Sequence, residues 1–556
     1  MQELRRRGPS LSPRLCRLLG GCCLRPAPGA ARPGATGADC RSWSASIPSR
    51  SMSDHVSAGQ SYEDAIQALN SLQSNAAYIT DRTLGKQANG LTFTQKYSSM
   101  IDLGLNELSN LSVIHVAGTK GKGSTSALCE SILRHNGFRT GFFSSPHLVS
   151  VRERFKIEGK SISREKFTSY FWEIFRALEE KKDSEMSMPP YFVFLTIMAF
   201  KVFLKEKVDV AIFEVGIGGE HDSTNVLQNV SVVGITALGI DHTALLGNTL
   251  ASIAWQKAGI LKPSAIAYSV SGHPQEALKV LAERSVEREC PLLISPPLDN
   301  YKWPDLSSRQ AASSLFRTQK LNASLALQLT NAWMRRRSET NSGFHKPIIS
   351  PSLKEALPFS ITKETATGLF NCRWPGRMQI LESDCGRINY FIDGAHTVES
   401  MTACAEWYSK HRPSRSNTKH ALLLNMTGDR DRLQIIEPLF QFQFDKVIFS
   451  PNIASSSQGK TIKCDNQNLR VSHGSQLQQT QDLHDLWVSK TCYTNNNKNK
   501  DNQVFINTSV KTCVDEALTE LQDEASEWCI LVTGSLHLVG AVLSIIDPNL
   551  EKSERS

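Results

Sequence analysis

The residues most able to do chemistry lie in a glycine-rich stretch at 118–125, which carries Lys120, Lys122 and two hydroxyl side chains. Glycine lets a backbone approach a phosphate closely and turn its N–H groups towards it, and the N-terminus of a following helix adds positive potential. Lys122 would reach the outer phosphates, and a hydroxyl of Ser124 or Thr125 would face a magnesium ion. The stretch predicts a nucleotide phosphate site. The alternative is a strand–helix turn that uses glycine only for its shape.

The spacing in this stretch differs from that of the common phosphate loop, which has the pattern G-x-x-x-x-G-K-[ST]. Here two residues separate Gly118 from Gly121, and Gly123 stands between Lys122 and Ser124. An apolar run comes directly before the stretch and a helical pattern comes directly after it. These flanking patterns favour a short variant of the phosphate loop.

Three further side chains follow or end apolar runs and are candidates for binding a metal ion. Glu214 ends a run typical of a buried parallel strand, where a carboxylate is costly unless a cation meets it. Ser144 and His242 follow two other runs, although a solvated turn and a structural histidine are the alternatives for them. Magnesium prefers oxygen ligands, whereas manganese tolerates the nitrogen of His242 better. Lys257 lies near the end of a predicted helix, where by itself it would only complement the helix dipole.

The order of the apolar runs predicts the elements that position these side chains. Strands alternate with helices, which is typical of a doubly wound parallel sheet. Because parallel strands end at one edge of a sheet, the candidate metal ligands are expected beside the phosphate loop. The predicted strands are 113–117, 139–143, 208–214 and 230–238.

A second, smaller α/β unit of the Rossmann-like type is predicted from residue 370 onwards. It opens with a string that contains Arg377 and continues to a turn that begins with Asp393. The polar stretch at 452–505 is predicted to be a disordered insertion. The expected domains are therefore 52–369, which contains the phosphate loop, and 370–556.

The charge of the chain is concentrated in its first residues. The formal net charge of the 556 residues is +8, and residues 1–50 hold nine arginines against two acids, a balance of +7. The rest therefore carries about +1, which removes any argument from net charge for a nucleic-acid partner. Residues 1–51 predict a mitochondrial transit peptide, with a disordered basic tail as the alternative. Initiation at Met52 would give a cytoplasmic form without it.

Cysteine and hydropathy patterns exclude further classes. The 13 cysteines contain no C-x-x-C pair, which favours reduced thiols over a disulfide framework or a zinc site. The longest apolar run, 191–204, is interrupted by Lys201 and is too short to span a bilayer. We therefore expect no nucleic-acid partner and no membrane-spanning segment.

Taken in order, these strings resemble the folylpolyglutamate synthases of animals, the folate branch of the Mur ligase superfamily. The resemblance covers residues 61–543. It departs from the family at 316–319, where many relatives have Gly-x-His-Gln, and at Thr397, where bacterial relatives often have Asn. The matching strings are 118–125, 142–154, 188–200, 213–219, 239–242, 253–260, 374–377, 393–397 and 533–540.

The resemblance implies roles for most of the candidate residues. In relatives a lysine matching Lys257 is carboxylated and helps to bind a second magnesium ion. The residues implied to bind ATP are Lys120, Gly121, Lys122, Gly123, Ser124, Arg377 and Asp393. Those implied as metal ligands are Ser144, Glu214 and His242. The implied catalytic set is Lys122, Glu214, His242 and Lys257.

The resemblance also implies an activity. It is that of an ATP-dependent ligase that adds L-glutamate to the γ-carboxylate of folates through an acyl phosphate, retaining folates in cytosol and mitochondria for one-carbon metabolism. The implied substrates are a reduced folate, L-glutamate and ATP, with Mg²⁺ and a monovalent cation such as K⁺ as candidate cofactors. We expect a monomer in the mitochondrial matrix, with inner-membrane association left open, and a cytoplasmic form from Met52. The alternatives are dihydrofolate synthase, which adds the first glutamate to dihydropteroate, and an ATP-binding switch or scaffold without catalysis.

Overall fold

The structure is a computed structural model that describes most of the chain after residue 60. All described residues belong to one compact unit. The predicted leader at 1–51 and the alternative start at Met52 lie outside the described residues. These are 61–74, 90–182, 187–263, 265–338, 348–350, 352–413, 418–426, 431–454, 473–491, 504–507, 509–515 and 527–555.

The first half of the described chain forms a sheet of nine strands. These are β1 (Val113–Ala117), β2 (Thr140–Phe143), β3 (Phe155–Ile157), β4 (Lys160–Ser161), β5 (Val210–Glu214), β6 (Val230–Ile235), β7 (Ile266–Ser269), β8 (Leu292–Ile294) and β9 (Lys354–Glu355). Their order is β4-β3-β2-β5-β1-β6-β7-β8-β9. The hairpin β3–β4 pairs antiparallel with β2, and the other neighbours run parallel. The predicted doubly wound parallel sheet is confirmed.

Helices cover both faces of this sheet. Strand β1 is buried along its whole length: the side chains of Val113 and Ala117 pack on one face, and those of Ile114 and Val116 pack on the other. A strand buried on both faces needs a continuous apolar run, as the sequence indicated. The helices are α1 (Tyr62–Ser71), α2 (Gly90–Met100), α3 (Leu105–Leu108), α4 (Lys122–His135), α5 (Arg164–Glu180), α6 (Tyr191–Lys205), α7 (Thr243–Leu246), α8 (Leu250–Ala258), α9 (Gln275–Glu287), α10 (Leu306–Ser314), α11 (Arg317–Ser338) and α12 (Lys363–Phe370).

The second half of the described chain forms a sheet of six strands. These are β10 (Gln379–Glu382), β11 (Ile388–Ile392), β12 (Thr418–Leu424), β13 (Lys446–Phe449), β14 (Val504–Ile506) and β15 (Glu527–Thr533), in the order β10-β11-β15-β12-β13-β14. Strand β10 is antiparallel to β11, and the other pairs are parallel. Its helices are α13 (Val398–His411), α14 (Arg432–Ile436), α15 (His473–Thr491), α16 (Leu536–Ile546) and α17 (Glu551–Arg555). The predicted smaller α/β unit is therefore present, while its boundary at residue 370 stays a prediction.

One expectation about this second unit is wrong in part. The stretch at 452–505 was expected to be disordered, yet residues 473–491 form helix α15. The side chains of Leu483 and Trp487 on this helix are buried in the core beside β13. Leu483 and Trp487 are four positions apart and therefore lie on one helix face. The sequence prediction missed this pattern because the stretch as a whole is polar. Among the described helices, none has both the length and the apolar character needed to cross a bilayer.

Candidate active site

The glycine-rich loop joins β1 to α4 and needs glycine at two positions. Gly121 has φ 88°, and a Cβ atom there would lie 2.3 Å from Oδ1 of Asn322. A Cβ atom on Gly118 would lie 1.8 Å from Oγ1 of Thr236 on the strand side. The loop therefore packs so closely on Thr236 and Asn322 that a side chain at either glycine would clash.

The sequence predicted that the N–H groups of the loop turn towards a phosphate, but two of them are bonded within the protein. The N–H groups of Thr119 and Lys120 donate to the carbonyl of Ala237, at 2.8 and 3.1 Å. Helix α4 begins at Lys122, and no side chain caps its first turn. The N–H groups of that turn therefore remain the donors that suit a phosphate.

Two lysines converge on the same backbone carbonyl. Nζ of Lys122 donates to the carbonyl oxygen of Gly118 at 3.1 Å, and Nζ of Lys257 donates to it at 2.8 Å. Lys257 is 3% exposed, and burial lowers its pKa to about 7, with the positive charge of Lys122 acting in the same direction. The structure thus places the predicted helix-end lysine beneath the phosphate loop, where its neutral form is well populated at physiological pH.

Glu214 ends β5 beside this loop. Its backbone is in register with Val116 of β1, and its carboxylate accepts a hydrogen bond from the N–H of Ser145 at 3.0 Å. Burial raises the pKa of Glu214, while Lys122 and Arg377 are among the charges that oppose the shift. A buried carboxylate that still faces several cations is suited to a divalent ion.

Oxygen atoms around Glu214 are of the kind that magnesium prefers. The three predicted ligands differ, however, in how close the structure places them to one another. Ser144 is buried and adjoins Ser145, so its position is next to the Glu214 carboxylate. His242 has φ 51° and an exposed side chain, and its N–H donates to the Asp241 carboxylate at 2.9 Å. Within the described residues no three His, Cys, Asp or Glu side chains converge. The metal roles of Ser144, Glu214 and His242 stay predictions.

Asp393 and Arg377 lie close together in the second half of the chain. Asp393, at the end of β11, accepts a hydrogen bond from the N–H of Met378 at 2.8 Å, and burial raises its pKa while Arg377 opposes the shift. Nη1 of Arg377 lies 2.6 Å from where a Cβ of Gly394 would stand. Asp393 thus holds the segment before β10, which carries Arg377.

Lys120 makes one of the contacts between the two halves of the chain at this site. Its Nζ lies 3.0 Å from Nε2 of His396 and 3.6 Å from Oδ2 of Asp241. Sequence reasoning assigned Lys120 to ATP and gave His396 and Asp241 no role. Both residues lie in strings that resemble the family, at 393–397 and 239–242, and this resemblance could have pointed to them.

A cleft of about 360 Å³ lies between helix α4 and the segment before β10. Ser124 lines it, whereas Thr125 is fully buried with no hydrogen-bond partner for its hydroxyl among the described residues. Of the two hydroxyls considered, Ser124 is therefore the one that faces the cleft. The cleft (hereafter the Ser124–Arg377 cleft) is also lined by Gln319, Asn322, Arg373, Trp374 and Arg377.

Comparisons with known proteins give the relationships of the chain. No family model matches the sequence. It is 39% identical over 555 residues to the mitochondrial folylpolyglutamate synthase of Bos taurus, covering 88% of this chain and 93% of that protein. Its fold is similar to that of Mycobacterium tuberculosis folylpolyglutamate synthase complexed with ADP and AMPPCP, with a TM-score of 0.61, 22% identity, and coverage of 87% and 99%. It is also similar to that of the bifunctional folylpolyglutamate synthase/dihydrofolate synthase of Yersinia pestis complexed with AMPPNP and Mn ion, with a TM-score of 0.58, 22% identity, and coverage of 87% and 98%.

The two sheets therefore define a protein with the two-domain α/β fold of the Mur ligases. Fold similarity at this level of identity leaves the family open. The match to the bovine protein extends over most of both chains and decides it. The chain belongs to the folylpolyglutamate synthase family.

Proposed function

We propose that the chain is an ATP-dependent ligase that adds L-glutamate to the γ-carboxylate of folates. Membership of the folylpolyglutamate synthase family supports the activity. The observation that carries the proposal within the molecule is the convergence of Lys122 and Glu214 at one sheet edge, beside a cleft that Arg377 lines.

In the proposed reaction the γ-carboxylate of the folate attacks the γ-phosphate of ATP and gives an acyl phosphate and ADP. The amine of the incoming glutamate then attacks the acyl carbon, phosphate leaves, and an amide forms. Activation is required because a free carboxylate would have to expel oxide. Lys122 would move from the Gly118 carbonyl to the phosphates and neutralise the charge that develops on the transferring group.

Magnesium, when bound, supplies further charge neutralisation and alignment of the phosphates. Glu214 would hold it together with Ser144 and His242. A second divalent site and a monovalent cation such as K⁺ are proposed on the family resemblance. Lys257 fits the second site after carboxylation, because an amine with a pKa near 7 is neutral often enough to add CO₂ and release a proton.

One assay tests the proposed function against both alternatives. The purified protein is incubated with ATP, magnesium and labelled glutamate, and with either tetrahydrofolate or dihydropteroate. We expect amide formation with tetrahydrofolate. Activity with dihydropteroate alone would indicate a dihydrofolate synthase, and nucleotide binding without any amide product would indicate a switch.

The proposed location rests on the leader and on the alternative start. We propose a mitochondrial form from Met1 and a cytoplasmic form from Met52, both monomeric, with any inner-membrane association confined to the mitochondrial form. Fractionation of cells that express Met52→Ala tests the cytoplasmic form, since the cytosolic pool should disappear. An undiminished cytosolic pool would contradict it. Light scattering of the purified protein measures the monomer directly.

A further inference from the structure

A second cavity, of about 300 Å³, lies at the carboxyl ends of β7 and β8. Its walls come from the segments that follow these strands, including Ser271 and Ser295, and from the start of α11, including Arg317, Lys320 and Ser324. We call it the β7–β8 cavity. The carboxyl edge of a parallel sheet is where ligands of α/β proteins bind.

This cavity is separated from the Ser124–Arg377 cleft by helix α11. Lys320 and Ser324 are four residues apart and lie on one face of the helix. Gln319 and Asn322, which line the cleft, lie on the opposite face. Leu315, just before the helix, lines both spaces. A ligand in the cavity would therefore meet a different set of side chains from a nucleotide in the cleft.

The polar walls of the cavity are cationic. Arg317 and Lys320 stand against a single acid among the described lining residues, Asp299, which lies 3.4 Å from Nζ of Lys320 and has a side chain that is 62% exposed. Arg317 is the first residue of a 22-residue helix, so the positive end of the helix dipole adds to the charge. Nη2 of Arg317 lies 3.9 Å from where a Cβ of Gly272 would stand, which places the guanidinium over the end of β7.

Ser295 adds an independent observation. It lines the cavity and is 2% exposed, and its hydroxyl is buried without a hydrogen-bond partner among the described residues. The neighbouring Ser324 hydroxyl, by contrast, already donates to the carbonyl of Pro296. A buried hydroxyl is rarely left unpaired, so the Ser295 hydroxyl needs an acceptor that the protein itself does not provide.

We propose that the β7–β8 cavity binds a small molecule through an oxyanion, a carboxylate or a phosphate, at Arg317, Lys320 and Ser295. The planar guanidinium of Arg317 makes a two-pronged contact with such a group, and Lys320 adds a point charge. The Ser295 hydroxyl, which is closed off from solvent, turns towards the anion and donates the remaining hydrogen bond. Pro296, Pro297 and Leu298 line the rest of the space, which leaves room for an apolar body attached to the anion. The site is independent of the ligase activity proposed above.

Calorimetric titration of the full chain tests the proposal with three probes: inorganic phosphate, L-glutamate and a γ-linked triglutamate. The titrations are made with saturating ADP and magnesium, so that the Ser124–Arg377 cleft is filled. We expect at least one probe to bind. Phosphate alone would identify the ligand as a phosphate compound, and either glutamate probe would identify a carboxylate.

Variants locate the binding. Arg317→Gln should weaken it at least tenfold, and Ser295→Ala at least threefold, while ADP affinity and the melting temperature stay unchanged. Arg335→Gln is the matched control, because Arg335 is an exposed arginine in the last turn of the same helix. The proposal is overturned if no probe binds, if binding is undiminished in Arg317→Gln, or if ADP competes fully with the probe.

Discussion

At the scale of single residues, the Glu214 carboxylate is the group whose placement most requires a cation. The residue is 4% exposed and accepts a hydrogen bond from Ser145, although an ionised carboxylate has about four acceptor positions. Burial raises its pKa, and Lys122 is the strongest of the opposing charges. The carboxylate and the lysine therefore act as a pair on whatever anion and metal the loop holds.

The first prediction concerns this pair. Lys122→Ala and Glu214→Gln should each fold normally and slow turnover at least about a hundredfold, since losing one charge contact in the transition state costs on the order of 3 kcal/mol. Initial rates of amide formation measure the effect, with circular dichroism as the control for folding. Near-normal turnover in either variant would remove that residue from the site.

The second prediction concerns Lys257 and pH. Its pKa is about 7 in the folded protein against an ordinary value of 10.5, so the unfolded chain holds a proton that the folded chain has lost between these values. The contribution of Lys257 to the free energy of unfolding therefore rises with pH, by about 2 kcal/mol between pH 7 and 9. Urea unfolding of the free protein and of Lys257→Met at both pH values measures the difference. An identical pH dependence in the two proteins would contradict the shift.

At the scale of elements, a cluster of charges holds the segment after β5 against helix α9, and a backbone hydrogen bond holds it against helix α8. The Glu220 carboxylate pairs with Arg284, and Nη2 of Arg288 lies 2.7 Å from its Oε2. The N–H of Glu220 donates to the carbonyl of Gln256 at 2.7 Å, next to Lys257. A Cβ on Gly219 would lie 2.6 Å from that same carbonyl, so the segment packs directly on the helix that carries Lys257.

The third prediction removes this cluster. Glu220→Gln removes one of the two carboxylates that pair with Arg284, whose side chain is 3% exposed, and leaves only Glu287, which is 56% exposed. The variant should lose about 2 kcal/mol of unfolding free energy, less than a fully buried pair because Glu220 is itself 17% exposed. Urea denaturation measures the loss. Glu283→Gln is the control, since Glu283 is 62% exposed on the same helix as Arg284; equal effects of the two substitutions would contradict the role of the cluster.

At the scale of the whole molecule, the two halves of the described chain meet beside the phosphate loop. Lys120 contacts His396 directly, and Ser124 and Arg377 line the Ser124–Arg377 cleft. An acyl phosphate is readily hydrolysed, so a site that forms one benefits from excluding water. The second sheet therefore has a chemical reason to be held against the phosphate loop.

The fourth prediction tests this sealing role. In Arg377→Ala water would enter the cleft, and the variant should consume more ATP than it forms amide. The ratio of phosphate released to labelled glutamate incorporated measures the uncoupling, with the unsubstituted protein as the reference. A ratio that stays at one would argue against sealing.

The sequence was sufficient for the features that depend on local pattern. The apolar run of β1, the glycines of the loop and the position of Glu214 at a strand end follow from periodicity and composition. Contacts between distant segments did not follow. The pairing of Lys120 with His396 joins residues 276 positions apart, and the shared Gly118 carbonyl depends on how α8 packs under the loop. The helix at 473–491 was missed because composition averaged over a long stretch hides two buried residues.

The carbonyl of Gly118 has a consequence for nucleotide exchange. Two lysine side chains already donate to this acceptor, so an incoming triphosphate exchanges contacts rather than adding them to an empty loop. The affinity for the triphosphate is then the small difference between two sets of interactions. When the diphosphate leaves, the two lysines return to the Gly118 carbonyl oxygen. We expect rapid ADP release, in a stopped-flow displacement experiment, together with a loop that stays ordered between turnovers; slow release would show that the exchange does not occur.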